Sequence, residues 1–174
     1  MNKQNTNRCI IVVANILMLI IAFYPHDIYA ESQTHVFATW DIFEVDKCAS
    51  IWLIKRFVDP QAQIRLYQKG KYIKDGILFD TPDAKFRRYH NASTYETLLT
   101  HYKLGDMHLI YIGKIIHDIE INLWEKKALP ETPVVQQAVT EIINSSATPD
   151  EIITRSMAYF DGLYKELTRR NASP

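Results

Sequence analysis

The chain is poor in cysteine and glycine and has no basic block. It holds two cysteines and five glycines, and its 20 basic residues balance 20 acidic ones. Cys9 falls in the N-terminal leader described below, which leaves Cys48 alone. A lone cysteine excludes an internal disulfide, so stability must come from packing. Cys48 has apolar neighbours on a helix and reads as a small buried hydrophobe. There is no glycine-rich phosphate loop, no Gly-x-Ser-x-Gly, no Cys-x-x-Cys and no His-Glu-x-x-His. The common sequence signatures of nucleotide hydrolases, serine hydrolases, thiol oxidoreductases and zinc peptidases are therefore missing. Balanced charge leaves no electrostatic footprint for nucleic acid. The chain also lacks repeats, low-complexity tracts and any linker long enough to divide a domain.

What is present begins with a leader. Lys3 and Arg8 precede an apolar run at 10–23, Pro25 interrupts it, and Ile28-Tyr29-Ala30 ends on a small residue. This order of positive charge, short apolar run and small residue predicts a cleavable signal peptide over 1–30, cut after Ala30. The run is shorter than the ~20 residues that a spanning helix needs, so no stable membrane insertion is expected after cleavage. Residues 31–174 then form one exported domain, periplasmic or secreted.

Residues 36–45 are rich in β-branched and aromatic side chains and predict a strand, with shorter strands at 64–67 and 77–79. Asp46 is placed to cap a helix running to Val58, which Asp59-Pro60 ends because the residue before proline resists the helical region. Ser93-Thr-Tyr-Glu96 and Thr148-Pro-Asp-Glu151 predict capping boxes for helices at 94–103 and 149–170. Asp106 caps another, to about Trp124, and Thr132-Pro133 opens one to Asn144. The expected fold is α+β and predominantly helical, with a small N-terminal sheet packed with about five helices.

Three clusters carry candidate chemistry. In the first helix Cys48, Trp52 and Arg56 form a ridge apart from the aliphatic face of Ile51, Ile54, Phe57 and Val58. Either the helix is sandwiched and Arg56 reaches past Trp52 to a carboxylate, or this ridge walls a pocket where Lys47 or Arg56 meets an anion. In the helix after Asp106, His117 and Glu120 stand three apart beside Asp118, and such spacing can present ligands to one metal. It equally suits a hydrogen-bonded pair. Its core stripe is Leu109, Ile112, Ile116, Ile119 and Leu123. Ile115 and Ile121 off that stripe suggest cover on more than one side. His90, after Arg87-Arg88-Tyr89, adds a ligand from a loop or is simply exposed. Glu44 and Asp46 flank the strand-to-helix turn and either reach a site there or cap the helix.

The run from Glu44-Val45-Asp46-Lys47 through Trp52-Leu53-Ile54-Lys55-Arg56-Phe57 to Asp59-Pro60-Gln61-Ala62 resembles the signature of the chromate-resistance protein family. His90 with Ser93-Thr94-Tyr95-Glu96, Ile116-His117-Asp118-Ile119-Glu120, and Phe160-Asp161-Gly162-Leu163-Tyr164 are similar to later blocks of that family, in the same order. Tyr95 stands for Phe there and Glu120 for Asp. The resemblance covers residues 38–168. It implies the short, exported form of the family, a single domain without the DNA-binding part of the longer cytoplasmic regulators, and a role in stress response.

The resemblance also gathers Glu44, Asp46, Lys47, Trp52, Arg56, His90, His117, Asp118 and Glu120 into one expected pocket. His90, His117, Glu120, Asp118 and Glu44 would hold a divalent transition metal, with no identity implied. Asp46, Lys47, Trp52 and Arg56 would form the oxyanion or pocket side. The expectation is a metal- or oxyanion-binding or sensing domain, or else a metal-dependent enzyme acting on a small substrate. A domain whose polar residues only tie helices together is the third reading.

Overall fold

The computed structural model describes residues 35–122 and 126–172. The expected leader and the expected cleavage point after Ala30, together with Leu123 and Trp124, lie outside them. The order is β1 (Val36–Trp40), α1 (Val45–Leu53) running into a π-helical turn (Ile54–Val58), then β2 (Gln63–Tyr67) and β3 (Ile77–Leu78). Four helices follow: α2 (Thr94–His101), α3 (Met107–Glu120), α4 (Thr132–Ser145) and α5 (Pro149–Ala172). The fold is α+β and mostly helical, as the sequence predicts. Among the described residues no helix is long and apolar enough to cross a membrane.

The sheet has the order β2-β1-β3, and both pairings are parallel. Val36 pairs with Gln63 and Trp40 with Tyr67 on one side, and Phe37 pairs with Ile77 on the other. β1 ends at Trp40, sooner than its composition suggests, because the chain must turn before α1. α1 then supplies the crossover that parallel strands require. The connection from β2 to β3 passes back over β1. Gly76 makes that return possible at φ +102°, where an added Cβ would lie 2.9 Å from the Val36 carbonyl oxygen. Gly76→Ala is therefore expected to cost at least about 1 kcal/mol, seen as a lower urea midpoint. A wild-type midpoint would show that the turn yields.

α1 is the axis of the domain. Every residue from Val45 to Leu53 is buried, and the helix packs against α2, α3, α4 and α5. It is thus covered on all sides. An Asp59 N–H to Ile54 carbonyl bond of 2.8 Å closes the π-helical turn. Asp59 is extended, at φ −150°, before Pro60, as the steric rule demands. Its carboxylate accepts from the Gln61 N–H at 2.9 Å and stabilises the exit.

The helix starts follow local chemistry. At α2 the Glu96 N–H donates to Ser93 Oγ and the Ser93 N–H to Glu96 Oε2, a complete capping box. Asp106 accepts from the N–H groups of His108 and Leu109 at α3. At α5 Thr148 Oγ1 accepts from the Glu151 N–H, but the Glu151 carboxylate takes the Ala147 N–H, one residue outside a reciprocal box. α3 stops at Glu120, short of the expected Trp124. Asp118 accepts from the Ala128 N–H and the Thr132 hydroxyl, while Lys127 donates to the carbonyls of Asp118 and Asn122. These bonds pull the chain off the helix axis towards α4.

Candidate functional site

All three strands run in the same direction, so their carboxyl ends share one edge of the sheet. At that edge an open cavity of about 290 Å³ is lined by residues at or beyond the end of each strand: Trp40, the last residue of β1, with Ile42 and Glu44 after it, Lys69 after β2, and Asp80, Thr81 and Pro82 after β3. Lys47 enters from the first turn of α1, and Arg87 and Arg88 from the loop before α2. The carboxyl edge beside the central strand, where connections leave in opposite directions, is where open parallel sheets hold ligands. Glu44 and Lys47 place the start of α1 beside it, which adds the positive end of the helix dipole.

Lys47 is only 2% exposed. Its ammonium donates to the Trp40 carbonyl at 2.7 Å and lies 3.4 Å from Asp80 Oδ2. Burial lowers its pKa, and Asp80 opposes that shift. An ammonium has three donors, so two engaged partners leave one for a ligand. Asp80 sits at φ +50° and accepts from the Thr94 hydroxyl at 2.9 Å. Burial raises its pKa, and Lys47 counters the rise. Arg87 is anchored by a 2.9 Å bond to the Ala84 carbonyl, with its guanidinium 4.6 Å from the Tyr89 ring centre.

Two buried carboxylates, Asp46 and Glu120, adjoin the residues that line the cavity. Asp46 accepts from the backbone N–H groups of Thr94 at 2.6 Å and Tyr95 at 2.9 Å, and from the Ser50 hydroxyl at 3.3 Å. It therefore seats the start of α2, not its own helix, whose first flanking residue Glu44 makes no side-chain cap. The expectation that Asp46 caps the first helix is corrected here. Burial, helped by Asp80, pushes its carboxyl up to about 7, against the pull of the two N–H donors. Glu120 accepts from the Asp46 N–H at 3.4 Å and pairs with Arg88, whose other amino group meets Glu44 at 3.3 Å. Burial raises the Glu120 pKa and Arg88 counters it.

The structure thus divides the residues singled out from sequence. Glu44 and Lys47 line the cavity, and Asp46 and Glu120 adjoin its lining. His117 turns its Nδ1 to Glu96 at 2.9 Å. Asp118 is spent on the α3–α4 connection, and His90 is exposed. Trp52 and Arg56 meet Asp161 on α5, at 2.8 Å from the indole Nε1 and 2.9 Å from Arg56 Nε. That is the sandwiched-helix arrangement with a carboxylate partner. The expected metal donors do not fit a ligand set as arranged: Arg88 occupies the space between Glu44 and Glu120, and His117 is committed to Glu96. Among the described residues no group of three His, Cys, Asp or Glu side chains is set to hold a metal. Trp40, Lys69 and Asp80 carried no sequence signal. Arg87 and Arg88 did, as neighbouring cations just before a helix cap.

The profile of the "ChrB, C-terminal domain" family matches residues 37–167, which takes in all of β1 but Val36, the cavity and most of α5. The chain belongs to the ChrB C-terminal domain family. It is 28% identical over 139 residues to "Protein ChrB" of Cupriavidus metallidurans, an alignment that covers 76% of this chain and 40% of that protein. The chain thus spans less than half the length of the curated relative it matches. No solved structure matches. Membership of the ChrB family makes this a chromate-resistance-related protein.

Proposed function

We propose that this ChrB-type domain is an exported binding or sensing domain for a small oxyanion, held in the cavity at the carboxyl edge of the sheet. One observation carries the reading: Lys47, Lys69, Arg87 and Arg88 converge on a single cavity that also lies beside the start of α1. Four cations there stand against two lining carboxylates, Glu44 and Asp80. Oxyanions such as chromate or sulfate need this combination of positive charge and several N–H donors. A buried lysine with a spare donor makes a stronger contact than an exposed one, because the surrounding dielectric is lower. Export rests on the leader, with Lys3 and Arg8 ahead of its apolar run and Ala30 at its end.

The test is calorimetric titration of the exported protein with chromate and with sulfate. Saturable binding is expected, weaker at higher ionic strength. Arg87→Ala and Lys69→Ala, both at the mouth, should together weaken binding at least about tenfold, or ~1.4 kcal/mol. Absence of saturable binding to either anion would sink the proposal. Elemental analysis of the same preparation decides whether a divalent transition metal also belongs to the domain. If metal is present, its loss in His117→Ala or Glu120→Ala would restore those residues as ligands.

A further inference from the structure

We propose that the cavity takes an oxyanionic head attached to an apolar, ring-sized body, and not a bare tetrahedral ion. This rests on the anion reading above and narrows it.

Size is the first argument. The cavity measures about 290 Å³. Allowing ~30 Å³ for each water-sized atom, a five-atom tetrahedral anion fills about half of it. The volume lies just below the range for organic ligands, ~300–1,000 Å³, which suits a small one.

The lining is the second. Beside the cations stand Trp40, Ile42 and Pro82, which have nothing to offer a naked oxyanion. Trp40 is held by a 3.0 Å bond from its Nε1 to the Lys71 carbonyl, so its indole is a fixed surface. Ile42 is 42% exposed and Tyr89, under Arg87, is 39% exposed. Both belong to segments that border the cavity and extend its apolar character outward. A few placed charges beside fixed apolar walls are the mark of an organic-ligand site. An aromatic phosphate, sulfonate or carboxylate would set its charged group against Lys47 and Arg87 and its ring against Trp40.

Phenyl phosphate and inorganic phosphate are the probes, titrated into the exported protein. The aromatic ester should bind at least about tenfold more tightly, since a buried ring adds apolar area without altering the head group. Trp40→Leu and, as a variant that leaves the core untouched, Ile42→Ser should each shrink that preference several-fold while inorganic phosphate binding stays within about twofold. Arg87→Ala should weaken both probes alike. Equal affinity for the two probes, or a preference untouched by either apolar variant, overturns this inference and leaves the anion site standing. Failure of both probes to bind overturns this inference, and the chromate and sulfate titrations then decide whether the anion site itself stands.

Discussion

Trp52→Ala is expected to remove about 3–5 kcal/mol of folding stability. Its indole is fully buried at the α1–α5 contact, with ring centres of Phe57 at 5.2 Å, Phe160 at 5.7 Å and Tyr164 at 5.9 Å. Truncation leaves a cavity that these rings cannot close without giving up their mutual contacts. It also removes the N–H that Asp161 accepts, although Arg56 still holds that carboxylate through two bonds. Trp52→Phe separates the two losses. It keeps most of the apolar area and drops only the hydrogen bond, so it should cost nearer 1–2 kcal/mol. Urea unfolding followed by far-ultraviolet circular dichroism measures both. A Trp52→Ala variant no weaker than Trp52→Phe would show that the rings repack freely. Because Trp52 does not line the cavity, anion affinity of the folded Trp52→Phe protein should stay within about twofold of wild type.

Much of this fold is legible in the sequence, because many of the signals are local. The Ser93–Glu96 box and the Asp106 cap are written within three residues of the bonds they make. The stop at Asp59-Pro60 is a steric rule between neighbours. What the sequence conceals is long-range. Nothing near Trp52 names Asp161, 109 positions away. The end of α3 depends on Lys127 and Thr132 reaching back to Asp118 across a loop, which helical periodicity cannot register. The parallel order of the strands is equally hidden, since short apolar segments read alike in either direction. The candidate site divides in the same way. Glu44 is found because it flanks a strand-to-helix turn, and Lys47 because a cation at the start of a helix can meet an anion. Lys69 and Asp80 are missed because only the pairing of β2 and β3 with β1 carries them to the same edge. His117 and Glu120 share a helix face, yet each has a nearer partner: Glu96 for the first, Arg88 for the second.

Asp46 ties the stability of the fold to that edge, and its removal should depend on pH. Asp46→Ala leaves the buried N–H groups of Thr94 and Tyr95 without an acceptor. Orphaned donors of this kind cost about 1–3 kcal/mol each, so a loss of roughly 3 kcal/mol is expected near pH 5. The pH dependence follows from the carboxyl itself, pushed from 3.8 to about 7 by burial and by Asp80, with a smaller push from Glu120. Between those two values the unfolded chain has given up the proton and the folded one keeps it. Rising pH then favours unfolding, by up to about 1.4 kcal/mol per pH unit. Above pH 7 both states are ionised and the dependence ends. The alanine variant lacks this dependence. The gap between wild type and Asp46→Ala should therefore narrow by roughly 2 kcal/mol from pH 5 to pH 7, read from paired urea titrations. A gap that stays constant from pH 5 to pH 7 would mean that the α2 N–H donors outweigh burial and hold Asp46 ionised throughout that window. The cavity would then have a permanent negative charge beside its lining, which would lower its affinity for any anion at neutral pH.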